Sequence, residues 1–296
     1  MPVPQRIAIT GASGLIGTAL VGHLKSEGHT VQRLVRRAPV AADEVQWDPQ
    51  TGFVDLEPLR GVDAIIHLAG VGVGDKRWNK KYKSEILNSR LLGTTAIANA
   101  VAELKPQVFI SASAIGWYGE SGNRAVVETD RAGDDFLAAV CREWEAAADL
   151  AGETRTVKIR TGLVLDPTGG ALGKMLPLFR FGLGGKMGNG KQWWSWITLH
   201  DLIRAITFLL ENEISGPVNL TAPNPVTNQE FTSALARAMH RPALFPAPAI
   251  ALKIALGGFS SEILGSKKVV PMALTEAGFE WDYPHITNAL TALVSE

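Results

Sequence analysis

Three glycines, Gly11, Gly14 and Gly17, stand three residues apart close to the start of the chain. They follow an apolar run typical of a buried strand and precede leucines at helical spacing. In such a unit the first glycine permits a tight turn, the second lets a pyrophosphate approach the backbone, and the third lets helix pack on strand. The helix N-terminus then attracts the phosphates. The predicted dinucleotide-binding residues of this loop are Gly11, Ser13, Gly14, Leu15, Ile16 and Gly17.

Arginines near the end of the second predicted strand favour one dinucleotide over the other. An NAD site usually has an acidic residue there, which bonds the ribose 2′-hydroxyl. This chain has Arg33, Arg36 and Arg37 instead, and no acid precedes Asp43 in that segment. A guanidinium group binds a 2′-phosphate that a carboxylate would repel. The segment therefore predicts NADP(H), with Arg36 best placed and the other two in support. The alternative interpretation is a basic surface loop.

A run of small residues, Leu68-Ala69-Gly70, follows the next buried-strand pattern, Asp63–Leu68. Ligands of open α/β sheets lie at the carboxyl ends of the strands. We therefore expect the backbone of Leu68, Ala69 and Gly70 to contact the cofactor.

The elements that position these residues alternate over residues 1–165, where short β-rich runs are followed by helical patterns. The predicted strands are Arg6–Thr10, Thr30–Val35, Asp63–Leu68, Val108–Ser113 and Thr156–Arg160. The predicted helices are Leu15–Glu27, Lys80–Leu104 and Asp134–Leu150. Such alternation predicts the α/β class, with a doubly wound parallel Rossmann sheet. The glycine loop and the arginines described above predict that this sheet binds NADP(H).

Residues 166–296 have a different texture and are expected to form a smaller α/β substrate-binding domain over the open end of the sheet. Its start is rich in glycine, and its tail is rich in proline and glycine with helical patterns between. Segments near residues 199–222 are alternatively assigned to the Rossmann part. The basic residues of the glycine-rich stretch either bind an anionic, nucleotide-linked substrate or are solvated loop charges; they are Lys174, Arg180, Lys186 and Lys191.

The composition of the chain limits the kinds of partner that it is expected to bind. Lys and Arg number 29, as do Asp and Glu, so no global field attracts nucleic acid or an anionic membrane. The single cysteine, Cys141, rules out an internal disulfide and suits a reducing compartment. No stretch approaches about 20 uninterrupted apolar residues. We therefore expect a cytoplasmic protein that acts on a small molecule and binds neither nucleic acid nor membrane; its oligomeric state stays open.

Several motifs together resemble an extended short-chain dehydrogenase/reductase of the NAD(P)-dependent epimerase/dehydratase type. Four of them are Gly11–Gly17, His67–Gly70, Ser111–Ser113 and Arg160–Gly162. The chain is closer still to an atypical branch called epimerase family proteins, some of them described as cell-division inhibitors. The motifs of that branch are Trp78, Ser89-Arg90, Trp144–Ala148, Gly184-Gly185, Trp196–Leu202, Lys268–Pro271, Leu274–Phe279 and Tyr283-Pro284. The resemblance covers essentially the whole chain.

This resemblance implies an NADP(H)-binding protein of two domains whose substrate is unknown. The cofactor contacts that it implies are Arg36, Leu68, Ala69, Glu85, Arg90 and Val164. Glu85 and Arg90 fall on the predicted helix Lys80–Leu104, where the alternative is a solvated helix face.

The family's usual acid–base pair is missing. A working short-chain dehydrogenase needs a tyrosine whose phenol is activated by a lysine four residues on, and a serine or threonine that polarises the substrate oxygen. None of the three tyrosines, Tyr82, Tyr118 and Tyr283, is followed by that lysine. In the helix Asp134–Leu150 the two positions hold Leu137 and Cys141 or, in a second alignment, Cys141 and Glu145.

Two hydroxyl groups remain for catalysis. Ser113 matches the family serine, and Tyr118 is expected near the nicotinamide, where it either donates a proton or packs over the cofactor. Cys141 is interpreted as a small core residue and Glu145 as a helix-surface charge. One hypothesis is an NADP(H)-dependent oxidoreductase or epimerase, hence an isomerase. The other is a catalytically idle NADP(H)-binding sensor or regulator.

Overall fold

An eight-stranded sheet organises the chain in the computed structural model, which describes residues 3–295. The strands are β1 (Arg6–Thr10), β2 (Thr30–Val35), β3 (Glu44–Asp48), β4 (Phe53–Val54), β5 (Ala64–His67), β6 (Val108–Ala114), β7 (Ala125–Val126), β8 (Arg155–Thr161), β9 (Leu163–Asp166), β10 (Trp193–Trp194), β11 (Trp196–Thr198), β12 (Gly216–Leu220), β13 (Val226–Thr227) and β14 (Lys268–Val269). The order in the large sheet is β12-β8-β6-β5-β1-β2-β3-β4.

Ten α-helices connect and cover these strands in the described part of the chain. They are α1 (Leu15–Ser26), α2 (Lys80–Leu104), α3 (Phe136–Ala148), α4 (Gly170–Arg180), α5 (Leu199–Glu211), α6 (Asn228–Ala238), α7 (Ala249–Leu256), α8 (Ser260–Leu264), α9 (Met272–Glu276) and α10 (Ile286–Val294). Short 3₁₀ helices span Glu57–Leu59, Ile115–Tyr118 and Asp149–Ala151. No helix within residues 3–295 is both long and apolar enough to cross a membrane.

The sheet is wound in two directions from β1. The chain passes from β1 to β2 and β3 on one side, then crosses back to β5, β6 and β8 on the other, and only the β3–β4 pair is antiparallel. The crevice between the carboxyl ends of β1 and β5 is therefore the topological switch point, where ligands of such sheets bind. This confirms the predicted α/β Rossmann fold.

Helices cover both faces because the strand side chains alternate. Ile7 and Ile9 of β1 point to the face packed by α1 and α5, whereas Ala8 points to the opposite face, packed by α2. Both clusters are closed to solvent. The glycine loop between β1 and α1 is thereby attached to two elements that are fixed by the core.

One feature of the sheet was not predicted, and a second concerns the segment near residues 199–222, which was alternatively assigned to the Rossmann part. No strand was predicted between Val35 and Asp63, yet β3 pairs in parallel with β2 and β4 folds back on β3. β12 lies far along the chain but pairs with β8, and α5 packs against α1. Of the eight strands, only β12 falls outside residues 1–165.

The remaining residues form a second core around Trp196, Phe179 and Phe231, built mainly from α4, α6 and α10. Two-stranded pairs, β9 with β11 and β10 with β13, join the strand region to this core. β14 pairs with β7. The C-terminal segment thus returns to the edge of the crevice, close to the loop that follows β6.

Candidate cofactor and catalytic site

The glycine loop is closed on one side and open on the other. Gly11 has a φ of +72°, and a Cβ there would lie 2.9 Å from the backbone nitrogen of Ala69. A Cβ on Gly17 would lie 2.1 Å from the carbonyl oxygen of Gly11. A Cβ on Gly14 would meet only that same oxygen, at 3.4 Å. The loop therefore packs against the end of β5 and leaves the backbone at Gly14 accessible to a ligand.

Helix α1 begins without a side-chain cap. Gly14 is its N-cap residue, so no side chain accepts from the first-turn N–H groups. Four other helices are capped by the side chains of Asn79, Asp135, Thr198 and Thr227, whereas α4 and α7 to α10 also lack a side-chain cap. Uncapped N–H groups at a helix start are suited to bind phosphate. This geometry fits the pyrophosphate of a dinucleotide.

Thr10 ties the end of β1 to the segment that follows β5. Its hydroxyl accepts from the N–H groups of Leu68 (3.1 Å) and Ala69 (3.2 Å) and lies 2.7 Å from Nδ1 of His67. Because the hydroxyl proton is then given to Nδ1, the imidazole carries its own proton on Nε2. His67 is fully buried, and burial lowers its pKa to about 3. Sequence reasoning missed Thr10, since a threonine at a strand end is common.

Two of the three arginines at the end of β2 are held by carboxylates. Arg33 makes a two-point ion pair with Asp43, at 2.7 and 3.0 Å, and Arg37 makes one with Glu44, at 2.6 and 2.8 Å. Hydrogen bonds from Arg33 hold the pKa of Asp43 well below its usual range. No hydrogen bond or ion pair within residues 3–295 engages the exposed side chain of Arg36. β3 delivers these acids, which is why sequence reasoning did not see them beside the arginines.

Arg90 is a largely buried cation beside the crevice. It donates to the carbonyl oxygens of Val71 (3.0 Å) and Ile86 (3.2 Å), and its guanidinium carbon lies 3.6 Å from where a Cβ on Gly70 would stand. Desolvation by burial lowers its pKa. No carboxylate of the described residues lies within ion-pair distance of it. A positive charge without a counter-ion is suited to an anionic ligand.

Glu85 and Val164, two further cofactor contacts that the resemblance implies, lie in different surroundings. Glu85 is half-exposed on α2 and lies 3.5 Å from the ammonium group of Lys76. Val164 is partly buried on β9 and packs against the main core. The carbonyl oxygen of Val164 faces Gly170, next to the side chain of Leu15 in the glycine loop. Val164 therefore lies close to the loop, whereas Glu85 lies farther out along α2.

Ser113 lies in a buried ionic network at the end of β6. Its hydroxyl donates to Oε1 of Glu145 at 2.6 Å. Arg160, which is opposite Ser113 in the β6–β8 register, donates from Nε to Oε1 at 2.8 Å and from Nη2 to Oε2 at 2.9 Å. Glu145 is only 5% exposed, so its interpretation as a helix-surface charge is wrong. α3 presents this face to the sheet, and the ion pair with Arg160 compensates the buried charge.

Tyr118 lies on the other side of Arg160. Its hydroxyl donates to Oδ1 of Asn219 at 2.7 Å and accepts from Nη1 of Arg160 at 3.0 Å. Burial raises the pKa of Tyr118 to about 12. The phenol proton is thus retained inside the protein, and Tyr118 packs below the guanidinium. The catalytic roles of Ser113 and Tyr118 stay predictions.

Cys141 is buried one helical turn before Glu145. Its thiol lies 3.6 Å from the carbonyl oxygen of Ala114. Burial raises its pKa to about 12, so the thiolate is not available near neutral pH. This environment is that of the small core residue expected from the sequence.

Asp201 anchors the C-terminal segment. Its carboxylate accepts from the N–H groups of Asp282 (3.0 Å) and Tyr283 (2.9 Å) and from Arg204 (3.1 Å). Asp201 is completely buried and is held at the start of α5 by the cap residue Thr198. Its role is structural. Among the tryptophans, Trp196 is fully buried.

Known proteins resemble the chain over nearly its whole length. Residues 7–221 match the NAD dependent epimerase/dehydratase family, and residues 247–293 match a domain of unknown function (DUF1731). An epimerase family protein of Mycobacterium leprae is 44% identical, over 96% of this chain and 94% of that protein. The crystal structure of human epimerase family protein SDR39U1 with NADPH is 33% identical, has a TM-score of 0.90 and is matched over 98% of this chain and 99% of that chain. A nucleoside-diphosphate sugar epimerase from Corynebacterium glutamicum is 36% identical with a TM-score of 0.79, over 99% of this chain and 59% of that chain.

Proposed function

The chain belongs to the NAD dependent epimerase/dehydratase family, and on this premise we propose that it binds NADP(H) and transfers hydride to or from a small, nucleotide-linked substrate. Membership in that family, which the sequence motifs predicted, implies a nicotinamide dinucleotide as the cofactor. Beyond family membership, we propose the choice of NADP(H) over NAD(H), the class of substrate and the ability to catalyse the reaction.

Arg36 carries the choice of cofactor. It lies just beyond β2, where an adenosine ribose is held in folds of this type. The two acids beside it, Asp43 and Glu44, are neutralised by Arg33 and Arg37. Arg36 is therefore a guanidinium group without an internal partner, next to carboxylates that no longer repel a phosphate. The human relative was crystallised with NADPH, which agrees with this choice.

Positive charge in the glycine-rich segment supports an anionic substrate. Residues 167–200 contain no acidic residue, and they include Lys174, Arg180, Lys186 and Lys191. The relative from Corynebacterium glutamicum is described as acting on nucleoside-diphosphate sugars. A diphosphate carries the charge that such a stretch would bind.

When bound, the nicotinamide supplies the hydride acceptor or donor. The residues of this chain hold and orient the reactants. The glycine loop and Arg90 bind the dinucleotide phosphates, and Ser113 contacts the substrate oxygen at the end of β6. Arg160 fixes the side chains around Ser113 and keeps Tyr118 in place below.

Cofactor titrations test the proposal. NADPH, NADP⁺, NADH and NAD⁺ are titrated by calorimetry against the wild type and against Arg36→Ala. Loss of one charge-assisted contact is expected to weaken NADPH binding about 10- to 100-fold. NADH binding should change little, because that dinucleotide has no 2′-phosphate. Arg60→Ala, an exposed arginine paired with Glu57, is the control. Tighter binding of NAD⁺ than of NADP⁺ by the wild type would refute the choice of cofactor.

An idle NADP(H)-binding protein is the second candidate. It is favoured by the missing tyrosine–lysine pair and by the internal hydrogen bonds of both Ser113 and Tyr118. NADPH oxidation is therefore followed against a panel of carbonyl compounds and keto sugar nucleotides. Turnover that Ser113→Ala abolishes supports the enzyme, whereas tight NADPH binding without turnover across the panel supports the idle binder.

A further inference from the structure

We infer that Ser113 and Glu145 form a proton relay that replaces the missing tyrosine–lysine pair. Ser113 is the group that touches the substrate oxygen, and Glu145 is a positioning residue that receives and returns the serine proton. This inference rests on the proposed function, since it assigns the acid–base step of the same site. It pairs the serine of the family's usual motif with a carboxylate that this motif does not use.

The direction of the hydrogen bond determines what Ser113 offers to a ligand. A serine hydroxyl has one proton, and an ionised carboxylate can only accept. The 2.6 Å bond therefore commits the proton of Ser113 to Glu145. Only lone pairs of the serine oxygen remain for the crevice. Ser113 thus accepts from a substrate hydroxyl and is not set to donate to a carbonyl.

Arg160 holds the carboxylate in one orientation. It contacts both carboxylate oxygens of Glu145, and all three side chains of the relay are at most 5% exposed. A paired, immobile carboxylate avoids the cost of an unpaired buried charge. It also keeps Oε1 directed at Ser113. The serine rotamer is thereby fixed before any substrate arrives.

The position of Glu145 on α3 matches the place of the missing lysine. Glu145 lies four residues after Cys141, which is the spacing of the usual pair in one of the two alignments. Cys141 itself stays a protonated thiol, because burial raises its pKa to about 12. Where the usual pair has a lysine, this chain therefore has a carboxylate that is hydrogen-bonded directly to the serine.

The proton and electron balance of the step is complete. With NADP⁺ bound, its nicotinamide would accept the hydride that a substrate alcohol loses from its carbon, and the hydroxyl proton of the substrate would pass to Oγ of Ser113. The original proton of Ser113 moves to Oε1 of Glu145. The products are a ketone, NADPH and a protonated Glu145. The reverse step returns the proton by the same route, as an epimerisation requires.

Few other charges act on the relay. Arg160 reaches it from β8, and Arg90 on α2 lies near Cys141. Tyr118, below Arg160, is neutral because its pKa is raised. Glu128 accepts from Arg160 through its carbonyl oxygen, and its buried carboxylate, which accepts from the N–H groups of Asn219 and Ala273, acts on Tyr118. A change at Glu145 is therefore felt mainly by Ser113, Arg160 and Cys141.

A thiol at position 113 reports the coupling without substrate or cofactor. In a Cys141→Ala background, Ser113→Cys introduces the only cysteine, whose thiolate is followed by ultraviolet absorbance against pH. With Glu145 present, the pKa of this thiol should lie above the ordinary value of about 8.5. Adding Glu145→Gln should lower it by about one unit or more, because the neighbouring negative charge is gone.

Matched variants make that titration decisive. Glu143→Gln, on the exposed side of the same helix, should leave the pKa of the thiol unchanged. If Glu145→Gln unfolds the protein, the pair Glu145→Gln with Arg160→Met removes both charges and leaves neither of them buried without a partner. Equal pKa values of the thiol with and without the Glu145 carboxylate would overturn the relay. This outcome does not depend on whether NADPH binds, so the two proposals fail separately.

Steady-state kinetics then test whether the relay contributes to turnover. With a substrate found in the panel, Glu145→Gln should lower kcat about 100-fold or more, the size of a lost acid–base contribution, with little change in KM. Glu145→Asp should restore part of the rate, and the solvent isotope effect on kcat should change in both variants. An unaltered kcat in Glu145→Gln would contradict the relay, even if NADPH binding is as proposed.

Discussion

The guanidinium carbon of Arg90 lies 4.7 Å from the ring centre of Trp144, which joins α2 to α3 just below the crevice. A cation over an indole ring is attracted by the ring electrons, and this contact holds a charge that has no carboxylate partner among the described residues. Arg90 is thereby positioned next to Gly70, at the end of β5. The charge is available to a phosphate without any rearrangement of the core.

Replacement of Arg90 should lower the affinity for the cofactor more than it lowers the stability of the folded protein. Arg90→Met keeps an apolar stem beside Trp144 but removes the charge, so NADPH affinity should fall about 10- to 100-fold. Arg90→Lys should lie in between, since it keeps the charge and loses the planar donors. Calorimetric titration measures the affinity, and thermal unfolding measures the fold. An unchanged NADPH affinity in Arg90→Met would rule out this phosphate contact.

Gly14 and Gly17 should differ sharply when each is replaced by alanine. A Cβ on Gly17 would lie 2.1 Å from a carbonyl oxygen, so Gly17→Ala should lower the free energy of unfolding by about 1–3 kcal/mol. Gly14→Ala has space for its methyl group and an allowed backbone, with φ −79°. It should unfold like the wild type yet bind NADPH more weakly. Equal effects of the two variants on unfolding would contradict the loop geometry.

His67 should make the protein sensitive to acid. Its pKa is lowered from 6.5 to about 3 by burial, so the unfolded chain takes up a proton below pH 6.5 and the folded chain does not. The free energy of unfolding therefore falls as the pH drops from 6.5 towards 3, by about 1.4 kcal/mol per pH unit. Urea titrations of wild type and His67→Gln at several pH values measure the difference. A pH dependence that is the same in both proteins would refute this assignment.

Cys141 should contribute to instability in alkali. Burial raises its pKa from 9.0 to about 12, so the unfolded chain loses the thiol proton first. The stability linked to this thiol is present below pH 9 and is lost as the pH rises towards 12. Cys141→Ala should flatten the fall in unfolding free energy over that range. The native thiol should also resist alkylation at pH 9, and rapid modification of the folded protein would show that the thiol is more exposed than we describe.

The sequence was most informative where local signals coincide. The helix Lys80–Leu104 was predicted with the bounds that the structure gives. At its start Asn79 accepts from the N–H of Tyr82, and Pro106 follows its end, so both boundaries depend on neighbouring residues. The glycine loop is equally local, because its strand, turn and helix are contiguous.

The sequence was least informative where partners come from distant elements. Glu145 looks like a surface charge on a helix, since its partner Arg160 stands on a strand that follows later. The acids that neutralise Arg33 and Arg37 likewise reach them only through the pairing of β3 with β2. An ion pair across elements leaves no periodic trace in the chain. Such pairs became visible only when the register of the sheet was known.

The late strand β12 has a consequence for the order in which the chain can fold. A nascent chain that ends before residue 216 lacks the strand that covers the edge of β8. If it ends before α5, it also exposes the apolar face of α1 that α5 covers. During synthesis, the nucleotide-binding half therefore cannot complete its sheet until the residues that follow β9, β10 and β11 have been made. Each newly made molecule carries the unpaired edge of β8 until most of its length has emerged.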